Sequence, residues 1–229
     1  MKTAGLIGGM SWESTQTYYR LINQGVKQRL GGLHSARLVL YSVDFAEIEA
    51  LQHQGDWAAT ARILSEAARS VEAAGAEFLV LCTNTMHKVA AEIEQSVNIP
   101  LLHIADATAG VLQADGVTCV GLLGTSFTME QNFYRERLEA RGIQVLVPDA
   151  TQRERVHRVI YDELCRGEVR DESRAAYLEI VASLADSGAQ GVILGCTEIG
   201  LLIQQSDTPV RLYDTAVIHV EQVVEAALD

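Results

Sequence analysis

Short aliphatic runs alternate with amphipathic stretches along this chain of 229 residues. Runs such as Val192-Ile193-Leu194 are apolar at every position, which is typical of strands in a parallel sheet that helices cover on both faces. Strand and helix signals that alternate in this way predict an α/β fold with mainly parallel sheets. The expected strands are residues 3–7, 37–43, 77–82, 101–104, 117–123, 143–147, 191–194 and 210–213.

Two of the intervening helices have clear end signals. Ser11 is suited to cap a helix that runs through Tyr18 to the glycines at 31 and 32. Asp56 is suited to cap another helix, which keeps apolar residues at helical spacing and ends at Gly75. Both helices fall between predicted strands, as an α/β fold requires.

The two halves of the chain also repeat each other. Gly5-Leu6-Ile7-Gly8 matches Gly121-Leu122-Leu123-Gly124 at an offset of 116, and residues 74–81 match residues 187–194 at an offset of 113. Any two strand–helix units share glycines beside their strands, so chance similarity is the alternative explanation. Because both blocks occur in the same order, the repeat predicts two similar α/β halves that meet near residues 104–110.

The composition disfavours several classes of function. With 30 acidic and 18 basic residues the net charge is -12, and no basic run exists to bind nucleic acid or an anionic membrane surface. The apolar runs are far shorter than the ~20 residues that cross a bilayer, and the first residues lack a signal-peptide pattern. The four cysteines, at 82, 119, 165 and 196, form no Cys-x-x-Cys pair. These features predict a cytoplasmic protein with reduced thiols.

Polar side chains follow two apolar strands that the second repeat relates. The offset of 113 pairs Thr83 with Cys196, Asn84 with Thr197 and Thr85 with Glu198. Open α/β sheets bind their ligands at the carboxyl ends of strands, where these residues are expected. A helix that begins just after a cysteine favours its thiolate, so a lowered pKa is expected for Cys196. The sequence therefore favours an acid–base or nucleophilic role for this thiol over simple core packing.

Glycine-rich loops precede the first helix of each half. Residues 8–14 and their counterpart at 124–128 allow backbone N–H groups to approach an anion. Neither loop has the glycine pattern of a nucleotide site. The six histidines show no tight metal-ligand spacing, and no Gly-x-Ser-x-Gly hydrolase motif occurs. A small molecule with a carboxylate is thus a better candidate ligand than a nucleotide or a metal ion.

Four segments, in order along nearly the whole chain, resemble motifs of the cofactor-independent aspartate/glutamate racemase family: residues 8–15, 81–87, 195–199 and 214–219. The similarity is greatest to bacterial aspartate racemases and broad-specificity amino-acid racemases. It implies two pseudo-twofold-related, three-layer domains, residues 1–104 plus 209–229 and residues 105–208, with the active site in the cleft between them. It also implies a homodimer without pyridoxal phosphate or any other cofactor. Family members move the α-proton of an amino acid between two cysteines on opposite faces of the substrate.

The sequence departs from that family at the first cysteine. The family motif has the thiol directly before Asn84, where this chain has Thr83, and Cys82 lies one position earlier. Side chains alternate along a strand, so Cys82 and Thr83 are not expected to point the same way. We therefore assign the first catalytic position to Thr83, the second to Cys196, and a core position to Cys82. A local bulge that turns Cys82 inward is the alternative.

A second departure concerns the substrate side chain. Two cations that acid-specific members use are replaced here by Gln52 and Cys165. Their loss removes charge-assisted bonds to a side-chain carboxylate, which widens the expected substrates from aspartate and glutamate to neutral polar amino acids such as homoserine. The residues expected to bind the substrate are Met10, Ser11, Gln52, Asn84, Thr85, Thr125 and Thr197.

Two other functions remain open from sequence alone. Decarboxylases and cis–trans isomerases of the same fold include members with only the second cysteine, as here. A non-catalytic domain that binds an amino acid is the third reading. Release of carbon dioxide from a malonate, or failure to exchange an α-proton, would distinguish these from a racemase.

Overall fold

The computed structural model describes all 229 residues. They form two compact units, the first comprising Met1–Ile104 with His219–Asp229 and the second Ala105–Ile218. Each unit contains one four-stranded sheet in which every pair of neighbouring strands is parallel. The α/β fold and the two similar halves that the sequence predicts are therefore confirmed.

The first unit begins with alternating strands and helices. Its elements are β1 (Ala4–Gly8), α1 (Trp12–Leu30), β2 (Leu38–Ser42), α2 (Phe45–Gln54), α3 (Trp57–Ala73), β3 (Phe78–Leu81), the 3₁₀ turn Thr85–Val89, α4 (Ala90–Gln95) and β4 (Leu101–Leu102).

The second unit follows the same plan after the helix α5. Its elements are α5 (Ile104–Ala114), β5 (Cys119–Gly124), α6 (Ser126–Glu130), α7 (Asn132–Glu139), β6 (Gln144–Leu146), α8 (Ala150–Asp162), the 3₁₀ turn Leu164–Arg166, α9 (Asp171–Asp186), β7 (Val192–Gly195), α10 (Ile199–Leu202), the 3₁₀ turn Gln205–Asp207, β8 (Leu212–Asp214) and the start of α11 (Thr215–Leu228). The later residues of α11 belong to the first unit. No helix is both long and apolar enough to cross a membrane.

The two sheets have the same strand order and the same register. The order is β2-β1-β3-β4 in the first unit and β6-β5-β7-β8 in the second. Ile7 pairs with Leu81, and the residues 116 and 113 positions later, Leu123 and Leu194, pair with each other. The two offsets of the sequence repeat thus describe equivalent strands, which excludes chance similarity.

Local sequence accounts for the predicted helix ends. The Ser11 hydroxyl accepts a hydrogen bond from the Ser14 amide (3.2 Å) at the start of α1, and Asp56 Oδ1 accepts one from the Ala59 amide (2.9 Å) at the start of α3. Side-chain caps of this kind each contribute ~1 kcal/mol. Helix α3 then buries Leu64, with the other apolar residues at helical spacing, against β1 and β3.

The boundary between the units differs from the predicted one at residues 209–218. The sequence assigned this segment to the first domain, but Leu212 pairs with Val192 and Tyr213 with Ile193 in the second sheet. Only the later part of α11 joins the first unit, where the Lys2 amide donates to the Ala227 carbonyl (2.7 Å). The physical reason is that β8 completes the backbone hydrogen bonding of β7, which an isolated edge would leave to water.

Candidate active site

A tight glycine loop connects β1 to α1 in the first unit. Gly9 has a φ of +92°, and a side chain there would collide with the carbonyl oxygen of Val43. The Gly9 amide donates to Thr15 Oγ1 (2.7 Å), whose hydroxyl in turn donates to the Ser11 carbonyl (2.9 Å). Because Thr15 occupies the Gly9 amide, that N–H group is not available to an anion.

The same loop is bonded to the end of β3. The Ser14 hydroxyl donates to the Cys82 carbonyl (2.8 Å), which brings the first and second sequence motifs together. Cys82 has no exposed surface and Thr83 keeps 9% of its surface exposed. Burial also raises the pKa of the Cys82 thiol far above its ordinary value. A neutral, inaccessible thiol is a poor base, so Cys82 is unsuited to acid–base chemistry, whereas Thr83 keeps a small exposed surface.

Three other residues predicted to bind the substrate lie close to the end of β3, either next to it in the sequence or in contact with the turn that follows it. Asn84 and Thr85 are buried at the start of the 3₁₀ turn that follows β3. Gln52, on α2, is buried and its amide points to the sulfur of Met86 in that turn (3.7 Å). The structure therefore brings Gln52 to the segment that carries Thr83 and Asn84.

Cys196 follows β7 in the second unit and is partly exposed. Its thiol donates to Glu198 Oε2 (3.0 Å), and the Thr197 hydroxyl donates to the same oxygen (2.9 Å). Glu198 itself is only 4% exposed. A buried carboxylate thus accepts two side-chain hydrogen bonds from the two residues before it.

This arrangement overturns the expected lowering of the Cys196 pKa. Burial raises the pKa of the Cys196 thiol well above its ordinary value, and the negative charge of Glu198 raises it further. The prediction was wrong because α10 spans only Ile199–Leu202, and the carboxylate that sits against the sulfur outweighs so short a helix. The resting state of Cys196 is consequently a thiol.

The second glycine loop has a simpler local role than its sequence indicated. The Thr125 hydroxyl accepts a hydrogen bond from the Thr128 amide (3.3 Å) and caps α6. The neighbouring Ser126 amide donates to His157 Nδ1 (3.2 Å). Thr125 and Thr197 both lie at the carboxyl ends of paired strands, because Gly124 pairs with Gly195 in the sheet.

Sequence reasoning missed the contributions of Glu198 and of three buried histidines. Glu198 was noted only as part of a motif, although its spacing of two residues from Cys196 was the available signal. His87, His103 and His219 are each at most 4% exposed and lie in the first unit. Their separation along the chain gives no local pattern. No group of three or more His, Cys, Asp or Glu side chains is arranged to hold a metal ion.

In each unit, polar side chains therefore follow the carboxyl ends of parallel strands, where open α/β sheets place their ligand sites. The chain matches the Asp/Glu/Hydantoin racemase family over residues 7–223. It is 56% identical to a presumed Asp/Glu racemase from Yersinia pestis of known crystal structure, with a TM-score of 0.94 and 100% of both chains covered.

Two further relatives extend the comparison. An aspartate racemase homologue from Pyrococcus horikoshii is 36% identical, with a TM-score of 0.87 and 100% of both chains covered. The broad specificity amino-acid racemase RacX of Bacillus subtilis is 23% identical over 155 residues, which are 68% of this chain and 66% of that protein. The chain belongs to the Asp/Glu/Hydantoin racemase family, and it is an isomerase of the amino-acid racemase class.

Proposed function

We propose that this enzyme racemises an amino acid by moving the α-proton between Cys196 on one face of the substrate and Thr83 on the other, without a cofactor. The observation that carries the proposal is the hydrogen bond from the Cys196 thiol to Glu198 (3.0 Å). This hydrogen bond places an acceptor for the thiol proton directly beside the partly exposed residue Cys196. The equivalence of Thr83 and Cys196 in the two halves supports the choice of Thr83 for the opposite face.

The first proton transfer begins from the neutral thiol. The Cys196 proton passes to Glu198 Oε2, and the resulting thiolate takes the α-hydrogen from the substrate face turned toward it. The substrate is left as a carbanion delocalised into its carboxylate. In the reverse direction the thiol gives its proton to the carbanion and Glu198 returns one to the sulfur. No proton is gained or lost overall in either direction.

The second face is served by a weaker group. The Thr83 hydroxyl, or a water molecule that it holds, donates a proton to the carbanion and receives another from solvent. Glu198 releases to solvent the proton that it took from Cys196, so the enzyme returns to its starting state. A threonine hydroxyl is a poor base at neutral pH, so the enantiomer whose α-hydrogen faces Thr83 is expected to lose it slowly. We infer that turnover is slow compared with an enzyme that has two thiols.

Hydrogen-bond donors hold the substrate carboxylate as its charge increases. We assign this role to Asn84, Thr85, Thr125 and Thr197 together with the backbone amides after Gly9. Preorganised donors aimed at a developing anion stabilise the transition state in a site that excludes water. Two observations support this assignment: the Ser14 hydroxyl joins the glycine loop to the end of β3, and Asn84 and Thr85 are buried just after that strand.

The substrate class follows from the residues expected at the side chain. Gln52 and Cys165 provide no positive charge, which favours a neutral polar amino acid such as homoserine alongside aspartate and glutamate. The relatives named above include an aspartate racemase homologue and a broad specificity racemase, which agrees with this range. A homodimer is a proposal that rests on the family resemblance, and a cytoplasmic location is one that rests on the pattern of cysteines.

The decisive experiment is incubation with each L- and D-amino acid in deuterated water, with α-deuterium and the opposite enantiomer recorded together. The expected result is appearance of both with the wild-type protein, and of neither with Cys196→Ala. The matched control is Cys119→Ala, which removes a thiol from the first residue of β5, at the end of the sheet away from the strand ends that carry the site. This variant should keep full activity. Carbon dioxide release from a malonate without enantiomer formation would instead establish a decarboxylase.

A further inference from the structure

Three buried histidines cluster in the first unit, and the reaction proposed above uses none of them directly. The ring centroid of His87 lies 4.4 Å from that of His103 and 5.9 Å from that of His219. His219 is held by Tyr18, whose hydroxyl lies 2.9 Å from Nδ1, and by the Leu102 carbonyl, 2.8 Å from Nε2. Of the three, His87 is the one that is bonded to the strand end carrying Thr83.

The hydrogen-bond partners of His87 fix its protonation. Its Nδ1 lies 2.9 Å from the Thr83 carbonyl oxygen, which only accepts, so Nδ1 carries a hydrogen. Its Nε2 lies 3.3 Å from the Ile104 amide nitrogen, which only donates, so Nε2 carries none. Burial lowers the pKa of His87 well below its ordinary value, and charges on His103 and His219 would lower it further. His87 is therefore neutral, in the Nδ1–H form.

Side chains hold two successive carbonyls where β3 ends. The Ser14 hydroxyl donates to the Cys82 carbonyl (2.8 Å), and His87 Nδ1 donates to the Thr83 carbonyl (2.9 Å). The peptide groups on both sides of the Thr83 Cα are thereby fixed, and with them the direction of its Cα–Cβ bond. The Cβ atom that carries the hydroxyl cannot leave its place without breaking one of the two bonds, so the hydroxyl moves only by rotation about the Cα–Cβ bond.

We propose that His87 is a positioning residue, which holds the backbone of Thr83, and with it the Cβ atom that carries the hydroxyl, in place for proton transfer by donating from Nδ1 to the Thr83 carbonyl. The inference rests on the proposed role of Thr83. A misplacement of a reacting group by ~1 Å can reduce a rate ~100-fold, so a single backbone hydrogen bond is enough to matter. The effect is confined to the substrate face that Thr83 serves.

A matched pair of variants separates the two hydrogen bonds of His87. His87→Asn keeps an N–H donor near the place of Nδ1, and His87→Gln keeps a polar group near the place of Nε2. We expect kcat for racemisation to fall about tenfold or more in His87→Gln and to stay within about threefold of wild type in His87→Asn. His219→Asn, in the same cluster but without a bond to Thr83, is the control and should keep its kcat.

The α-hydrogen exchange of each enantiomer provides the readout that a merely structural role would not produce. In His87→Gln, exchange of the enantiomer that faces Cys196 should change less than about twofold, because Cys196 alone performs it. Equal kcat values in His87→Gln and His87→Asn, or a parallel loss of exchange from both enantiomers, would overturn the inference.

Two further measurements keep the outcomes distinct. If Thr83→Val racemises normally, the proposed function of Thr83 has failed and the inference with it. If Thr83→Val is inactive while His87→Gln is normal, only the inference has failed. Nitrogen-15 NMR of the labelled wild-type protein tests the chemistry without any variant, since a signal from the Nε2–H form of His87 would contradict it.

Discussion

The Tyr18 hydroxyl donates a hydrogen bond to Nδ1 of His219 (2.9 Å), although 201 positions separate the two residues. His219 has no exposed surface, and its Nε2 donates to the Leu102 carbonyl (2.8 Å). Both ring nitrogens are therefore satisfied by a neutral imidazole. Burial lowers the pKa of His219 to about 4 from 6.5, so protonation must weaken the first unit.

The first prediction is that acid destabilises the protein through His219. Its folded pKa lies below its unfolded pKa, so its contribution is complete above pH 6.5 and is lost as pH falls to about 4. The loss amounts to about 3 kcal/mol at pH 4. Urea unfolding from pH 7 to 4 should show a shallower decline for His219→Gln than for wild type. His34→Gln, at an exposed histidine, should follow wild type, and an unchanged slope in His219→Gln would exclude this histidine as the cause.

The second prediction concerns Cys82 and Thr83, the two residues that follow β3. Cys82→Ala should keep racemase activity and cost about 1 kcal/mol of stability, because a buried side chain is shortened. Thr83→Ala should abolish interconversion of enantiomers while leaving exchange at the Cys196 face. Both are measured by enantiomer formation and α-deuteration. Loss of activity in Cys82→Ala with tolerance of Thr83→Ala would make Cys82 the second base.

Restoring a second thiol provides the third prediction. Thr83→Cys should raise turnover and equalise α-hydrogen exchange from the two enantiomers, since a thiol is a stronger acid and its anion a better base than a hydroxyl at neutral pH. Free enantiomers have equal energy, so kcat/KM must remain equal in the two directions in wild type and variant. Unequal exchange that persists in Thr83→Cys would show that residue 83 does not serve the slow face.

The fourth prediction separates acidity from catalysis at Cys196. Glu198→Gln removes the negative charge that helps to raise the thiol pKa, so alkylation of Cys196 by iodoacetamide should begin at lower pH. Racemisation should nevertheless slow, because the acceptor of the thiol proton is lost. Peptide mass spectrometry and the deuteration assay measure the two effects. Thr197→Val, which leaves the charge in place, should shift alkylation little, and a faster racemase in Glu198→Gln would contradict the proton relay.

The fifth prediction concerns the carboxylate donors. Asn84→Ala should reduce kcat by about two orders of magnitude, which corresponds to loss of one donor from an anion site, or about 3 kcal/mol. Asn98→Ala, at an exposed asparagine of the first unit, is the matched control. An increase in KM with an unchanged kcat would assign Asn84 to ground-state binding instead.

Local sequence was sufficient to predict the parallel sheets and the caps at Ser11 and Asp56, because apolar periodicity and capping act over a few positions. Contacts such as that between Tyr18 and His219 have no such signal, since nothing in either neighbourhood specifies the other. The direction of the Glu198 side chain also could not be predicted from the local sequence. A glutamate at that position is compatible with solvent exposure, and its return to the sulfur of Cys196 adds to the effect of burial in raising the thiol pKa.

The division of the units within α11 has a consequence for the order in which the protein is made. Residues 219–229 belong to the first unit but leave the ribosome after the whole of the second, residues 105–218. At ~5–20 residues per second, the second unit has all its residues available while the first still lacks His219, the partner of the buried Tyr18 hydroxyl. The half of the protein whose synthesis begins first is therefore the half whose folding is completed last.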